Sequence, residues 1–198
     1  MKVIGITGTS GAGKTTLTQI LNKRKNVEII DADKISKQMC TPGNKYLEAI
    51  KNTFGNEYFF KDGNLDRKKM AKTIYNDKIA LEKLNNITFN YVVKKILEEI
   101  KRLKNEKIEF IVLDAALLFE GGLEKYCDIV ISLIADKDLK IKRICDRDNI
   151  DVDLAEDRLN IQQNDAYYIE RSDFIIYNKK NCDLEKKIEK ILEQIRRE

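Results

Sequence analysis

Gly8-Thr9-Ser10-Gly11-Ala12-Gly13-Lys14-Thr15 is the stretch that decides the fold. It matches the pattern GxxxxGK[ST], and its surroundings fit that pattern. The apolar run Lys2 to Thr7 in front of it reads as a buried strand, and Leu17, Ile20 and Leu21 behind it fall at helical spacing. Glycines at these positions let the backbone curl until several N–H groups face one anion, and the helix that follows adds the positive end of its dipole. A chain that passes from strand through such a loop into helix is a nucleotide phosphate cradle. Residues Gly11, Ala12, Gly13, Lys14, Thr15 and Thr16 are the expected ATP contacts, with the Lys14 ammonium reaching the β- and γ-phosphates and the Thr15 hydroxyl on magnesium.

Outward from the loop, short β-rich segments alternate with helical patterns, as expected of a parallel sheet covered on both faces. The strand candidates are Lys2 to Thr7, Val27 to Asp31, Glu109 to Asp114, Asp128 to Leu133 and Asp173 to Tyr177. The fold class is therefore α/β, a P-loop NTPase fold with a five-stranded parallel sheet, a helical substrate-binding insertion and a lid. Between the second and third strands the residues build helices beside the sheet. Val92, Val93, Ile96, Leu97, Ile100 and Leu103 make one apolar stripe there, and Leu184, Ile188, Ile191, Leu192 and Ile195 make another near the C-terminus. Thr41-Pro42-Gly43-Asn44, which holds the only proline, is a turn between two helices. A second helical region, about 139–171, separates the fourth and fifth strands.

The chain has 198 residues, enough for one α/β domain with helical additions. The expected partition is a core of about 1–60, 105–137 and 172–198, a helical region of about 61–104 and a lid of about 138–171. Its four cysteines form no CxxC pair and read as reduced thiols. There is no histidine, which removes imidazole acid/base chemistry, histidine metal ligands and the Ser-His-Asp triad. Any proton acceptor is then a carboxylate, lysine, tyrosine or cysteine. The net charge of +4 comes from Lys and Arg mixed with Asp and Glu, a solvated helix surface rather than a nucleic-acid face. The longest apolar runs fall far short of the roughly 20 residues that cross a bilayer. The N-terminal apolar stretch is too short for a signal-peptide core, so the expected location is cytoplasmic.

Phosphoryl transfer needs a proton acceptor and cations around the transferring group. Asp31 and Asp33 stand at the end of the second strand, where α/β sheets place ligands. Asp33 is the candidate for a catalytic or magnesium-linked role, with a helix N-cap as its structural alternative. Asp114 ends the third strand behind Phe110-Ile111-Val112-Leu113, a position suited to magnesium through water or to a structural cap. Arg143 and Arg147, four apart, share one helical face, and Arg158 follows in the same region. Three arginines there either close over the phosphates or pair on the surface with Asp146, Asp148 and Asp157.

The ordered succession of motifs resembles the dephospho-CoA kinase family over nearly the whole chain. It comprises Ile30-Asp31-Ala32-Asp33, Pro42-Gly43, Gly63-Asn64-Leu65-Asp66-Arg67, Leu84-Asn85-Asn86-Ile87-Thr88 and Leu117-Leu118-Phe119-Glu120 with Leu123. It continues with Arg143-Ile144-Cys145-Asp146-Arg147-Asp148, Arg158-Leu159-Asn160-Ile161-Gln162 and Ser172-Asp173-Phe174-Ile175-Ile176-Tyr177-Asn178. The resemblance implies that ATP, with Mg2+, phosphorylates the ribose 3′-hydroxyl of dephospho-CoA. Asp33 as the base, Lys14 and Arg143 are then the catalytic set, and Arg147 and Asn178 lie on the nucleotide, Asn178 at its adenine side. Asp33, Leu117, Glu120, Arg158 and Gln162 meet the acceptor, and Thr15 and Asp114 serve the metal. The implied enzyme is a monomer or weak homo-oligomer with no nucleic-acid or membrane partner. The chain departs from the family's usual pattern at Phe89-Asn90, Ala116, Tyr168, Lys179 and Lys180. Three alternatives stand beside this reading. One is another small-molecule or nucleoside monophosphate kinase, and another is a divergent nucleotide binder without turnover. The third is a GTP-dependent switch, for which Asn178-Lys179-Lys180-Asn181 lacks the final acidic residue of NKxD.

Overall fold

In the computed structural model, residues 1–104 and 106–197 are described; Asn105 and Glu198, two of the expected boundary residues, lie outside them. The elements run β1 (Lys2–Thr7), α1 (Lys14–Asn22), β2 (Val27–Asp31), α2 (Ala32–Met39), α3 (Lys45–Phe54), α4 (Arg67–Asn76) and α5 (Lys78–Leu103). Then come β3 (Phe110–Asp114), β4 (Ile129–Ile134), α6 (Lys137–Asp148), α7 (Val152–Asn160), α8 (Asp165–Ile169), β5 (Phe174–Tyr177) and α9 (Leu184–Arg197).

The strands form one five-stranded sheet in the order β2-β3-β1-β4-β5. β1 pairs in parallel with β3 and β4, and β4 with β5. All five expected strands are present, the last three starting one residue later than the sequence pattern suggested. The reason is visible for two of them. Asp128 and Asp173 donate their backbone amides to Val3 O at 2.8 Å and Val130 O at 3.0 Å, but it is their carboxylates, not a main-chain carbonyl, that accept the Val3 amide at 2.6 Å and the Val130 amide at 2.7 Å.

The contacts divide the chain into two compact units, residues 1–30 with 103–198, and residues 31–102. Residues 31–60, expected with the sheet, group with the middle helices. In the first unit, Ile4 and Ile6, Phe110 and Val112, and Ile129, Ile131 and Leu133 present one sheet face to Leu17 and Leu21 of α1 and to Ile188 and Leu192 of α9. The period of two along the strands meets the 3.6-residue period of the helices there. Each such side chain, once buried, contributes on the order of 1.5–3 kcal/mol of transfer free energy. All five residues of the expected C-terminal stripe are buried. On the opposite face, Gly5 leaves room for Leu118 and Cys127.

In the second unit, α3 packs on α5 through Tyr46, whose ring meets Tyr91 edge-on at 5.9 Å and whose hydroxyl lies 3.1 Å from that of Thr88. The Pro42 turn separates α2 from α3, and Asn44 caps α3 by accepting the Tyr46 amide at 3.0 Å. On α5, Val92, Ile96, Ile100 and Leu103 are buried, whereas Leu97 is 40% exposed. Leu97 was expected in that stripe. It stands about 100° round the helix from Ile96, and the packed face is narrower than the apolar pattern.

Candidate active site

The loop from Gly8 to Thr15 joins β1, the central strand, to α1, so it sits at the carboxyl end of the sheet. Gly13 is the N-cap of α1, and its φ of 106° belongs to the left-handed region. No side chain caps this helix end and no acidic residue occupies its first turn. By contrast, Asp31, Asn44, Asp66, Asp151 and Asn164 cap the helices that follow them. The first-turn amides of a helix have no intrahelical acceptor, so α1 presents its positive end to whatever enters the loop. The Ala12 amide donates to Thr9 O at 3.2 Å and tightens the turn. Lys14 lies over the loop, its ammonium donating to Gly8 O at 2.6 Å. Thr15 and Thr16 are exposed in the first turn of α1.

Asp114 ends β3, half-buried, in the strand beside β1, where it stands opposite Ile6. The Thr15 hydroxyl and the Asp114 carboxylate are hard oxygen donors of the kind magnesium takes. Among the described residues no group of three or more His, Cys, Asp or Glu could hold a metal alone. An ion at this loop would therefore draw further ligands from phosphate and water, which is how magnesium is ordinarily bound.

The region after β4 reaches back onto the loop. Arg143 of α6 donates from Nη1 to Gly11 O at 2.9 Å and to Ala12 O at 3.4 Å. Arg147, one turn further, makes a two-pronged contact with Asp148, at 2.8 and 2.7 Å. Arg158 of α7 also bonds the Asp148 carboxylate. Of the aspartates weighed as ion-pair partners, Asp148 takes both arginines, while Arg143 serves the loop. The Arg147 hydrogen bond, with the charges of Arg147 and Arg158, holds the Asp148 carboxyl down to about 2. Two guanidiniums on one carboxylate leave that cluster of three side chains with an excess of positive charge.

Gln162, expected on the acceptor, has its side-chain oxygen on the Ser10 amide of the loop at 2.9 Å. Asn178, expected beside adenine, is buried after β5 and donates from Nδ2 to Ala12 O at 2.7 Å. Leu117 and Glu120 are both exposed, on either side of buried Leu118 and half-buried Phe119. Phe119 packs against Tyr167 and Tyr168 of α8 with ring centres 5.9 and 6.2 Å away. Tyr168, one of the positions that departs from the family pattern, is thus part of the packing under this loop. Its hydroxyl is pushed up to about 12 by burial and then by the charge of Glu120.

Asp33 belongs to the second unit, where it is exposed in the first turn of α2. The capping role considered for it falls to Asp31, which accepts the Lys34 amide at 2.8 Å. Asp148, one of the three aspartates the sequence offered as surface partners, is the one that pairs with Arg147 and Arg158. Sequence reading passed over Lys140, whose buried ammonium binds Asp165 at 2.9 Å and ties α6 to α8. Nothing in a lone lysine of a charged helix marks that pairing.

A parallel sheet in the order 2-3-1-4-5, a GxxxxGKT loop at the end of its central strand and arginine-bearing helices folded back on that loop define a P-loop phosphotransferase of the small-molecule kinase class. The family model described as Dephospho-CoA kinase matches residues 2–183. The chain belongs to the dephospho-CoA kinase family. A dephospho-CoA kinase of Fusobacterium nucleatum is 38% identical over 98% of this chain and 98% of its own length. Among solved structures, a dephospho-CoA kinase from Campylobacter jejuni superposes with a TM-score of 0.69 at 30% identity, covering 98% of this chain and 96% of that one. A Thermus thermophilus protein superposes with a TM-score of 0.81 at 24% identity, over 98% of this chain and 97% of that one, which speaks for the fold alone. No helix among the described residues is long and apolar enough to cross a membrane.

Proposed function

We propose that this chain transfers the γ-phosphoryl group of ATP to the 3′-hydroxyl of the ribose of dephospho-CoA, giving coenzyme A and ADP. The observation that carries the reading is the family match from residue 2 to 183 in a chain whose phosphate loop keeps every required residue in strand-loop-helix context. In the reaction the 3′-oxygen forms the new bond to phosphorus as the bond to the β,γ-bridging oxygen breaks. The hydroxyl proton passes to the Asp33 carboxylate, and ADP leaves with the electron pair of the broken bond.

The loop amides from Gly11 to Thr16 hold the phosphates, Lys14 neutralises the β- and γ-oxygens, and Arg143 adds positive charge at the loop. Thr15 and Asp114 would hold magnesium, which supplies charge neutralisation of the phosphate chain when bound. Arg147 and Asn178 serve the nucleotide side, and Leu117, Glu120, Arg158 and Gln162 the acceptor side. The middle helices, residues 61–104, form the acceptor-binding part and residues 138–171 the lid. The enzyme works in the cytoplasm as a monomer or weak homo-oligomer, without nucleic-acid or membrane partners.

The test is ATP consumption by the purified chain with magnesium, offering dephospho-CoA beside adenosine, AMP and pantetheine, with products weighed by mass spectrometry. Gain of one phosphate on dephospho-CoA alone is the expected result. Phosphate on another acceptor, or ATP binding with no product, would overturn the assignment of the acceptor.

A further inference from the structure

A peptide unit is planar and trans, so its C=O and N–H point in opposite directions. In the phosphate loop the Ala12–Gly13 peptide is held from its carbonyl side. Ala12 O accepts from Asn178 Nδ2 at 2.7 Å and from Arg143 Nη1 at 3.4 Å. The same Arg143 nitrogen also holds the preceding carbonyl, Gly11 O, at 2.9 Å. With Ala12 O fixed toward Asn178, the Gly13 N–H is turned the other way, just ahead of the first-turn amides of α1.

Asn178 is well suited to this. It is 4% exposed, and its own backbone amide is fixed to Ile134 O at 2.7 Å, so its side chain projects from an anchored point at the end of β5. The approach is close enough to exclude a side chain at position 13, since a Cβ built on Gly13 would lie 2.2 Å from Asn178 Nδ2. Glycine at 13 thus answers both to the backbone angle and to the amide packed against it.

We infer that Asn178, seconded by Arg143, is a positioning residue that fixes the Ala12–Gly13 peptide with its N–H toward the phosphates, and so sets affinity for the phosphate chain rather than for the base. The inference rests on the phosphate-loop reading above. It assigns Asn178 an effect transmitted through the loop backbone, distinct from an adenine contact. Removing the donor frees the peptide to rotate, and each rotated population presents a carbonyl oxygen where the anion needs a hydrogen.

The test compares wild type, Asn178→Ala and Asn178→Leu, full chain with magnesium, by calorimetric titration with inorganic tripolyphosphate, ATP and GTP. Loss of one hydrogen bond to a buried carbonyl predicts that Asn178→Ala weakens tripolyphosphate and ATP by the same factor, about tenfold. The ratio of ATP to GTP affinity stays at the wild-type value. Asn178→Leu, which keeps the branched shape and removes the donor without changing charge, shows the same pattern, and it carries the test if Asn178→Ala does not fold. Unchanged tripolyphosphate affinity with weakened ATP binding, or a shifted ATP to GTP ratio, would make Asn178 a base contact and overturn the inference. Failure of the wild-type chain to bind either ATP or tripolyphosphate would instead overturn the phosphate-loop reading on which it stands.

Discussion

The side-chain oxygen of Gln162 accepts the backbone N–H of Ser10 at 2.9 Å, tying the segment after α7 to the phosphate loop across 152 positions of sequence. An amide oxygen is a neutral acceptor, and phosphate oxygens seek the same kind of donor. Gln162→Glu places a full negative charge against the loop, where it binds the amide more strongly and repels the nucleotide. We expect the KM for ATP to rise about tenfold at low ionic strength and to recover as salt screens the charge. Gln162→Ala, which adds no charge, changes it less. Steady-state kinetics over a salt series checks this, and equal effects of the two variants would contradict it.

Asp33→Asn keeps the size of the side chain and removes its basicity. Because Asp31 provides the helix cap, the substitution leaves the start of α2 intact. Turnover is expected to fall by roughly a hundredfold or more while the affinity for ATP holds. The measurement is kcat beside the Kd for ATP, and an unchanged kcat would take Asp33 out of the mechanism.

A methyl group on Gly8 meets something that cannot yield. Its φ is 136°, and a Cβ there would lie 2.4 Å from the backbone oxygen of Leu133 in β4. Gly8→Ala should therefore lose on the order of 2–4 kcal/mol of stability through strain and overlap combined. Gly43→Ala is the control: its φ of 83° is similarly left-handed, yet nothing lies within 4 Å of the added carbon. It should lose about 1–2 kcal/mol from the backbone term alone. Urea denaturation of the two variants side by side gives the difference.

Alkaline pH should destabilise the protein through acids whose charged form folding disfavours, Cys127 and Tyr168 above all. Burial pushes the Cys127 thiol from its ordinary 9.0, and the Tyr168 hydroxyl from 10.0, each up to about 12. Both are neutral when protonated, so the unfolded chain loses these protons first. Their contribution is fully present below about pH 9 and is lost as the pH climbs toward 12. Denaturant midpoints measured from pH 8 upward should fall from about pH 9, the ordinary thiol value. In Cys127→Ala the decline should begin about one pH unit later, where Tyr168 starts to titrate together with Tyr46 and Tyr167, whose hydroxyls burial also raises. A midpoint that stays flat from pH 9 to 11 would contradict the assignment.

How much of this was legible in the sequence differs from element to element. The strands announced themselves because a strand buried on both faces must be apolar throughout, and Phe110-Ile111-Val112-Leu113 is that pattern with a carboxylate at its end. The phosphate loop was legible because its chemistry is carried by contiguous residues. Leu97 was misread, since periodicity gives the apolar positions of a helix without the width of the surface that will cover them.

By itself the sequence determined the local matters: five strands, the loop at the end of the first, the helix that follows it, and the family to which the ordered motifs belong. These rest on hydrophobic period and on backbone geometry that only glycine and a few capping residues supply, and neighbours along the chain settle them. Tertiary structure alone decided which side chains would stand behind the loop. Asn178 and Gln162 reach Ala12 and Ser10 across 166 and 152 residues, and Arg147 turns to Asp148 while Arg143 turns to the loop. A hydrogen bond is directional and only a few ångströms long, so its partner is fixed by how β5, α6 and α7 pack around the end of β1. A one-dimensional pattern carries no such distance.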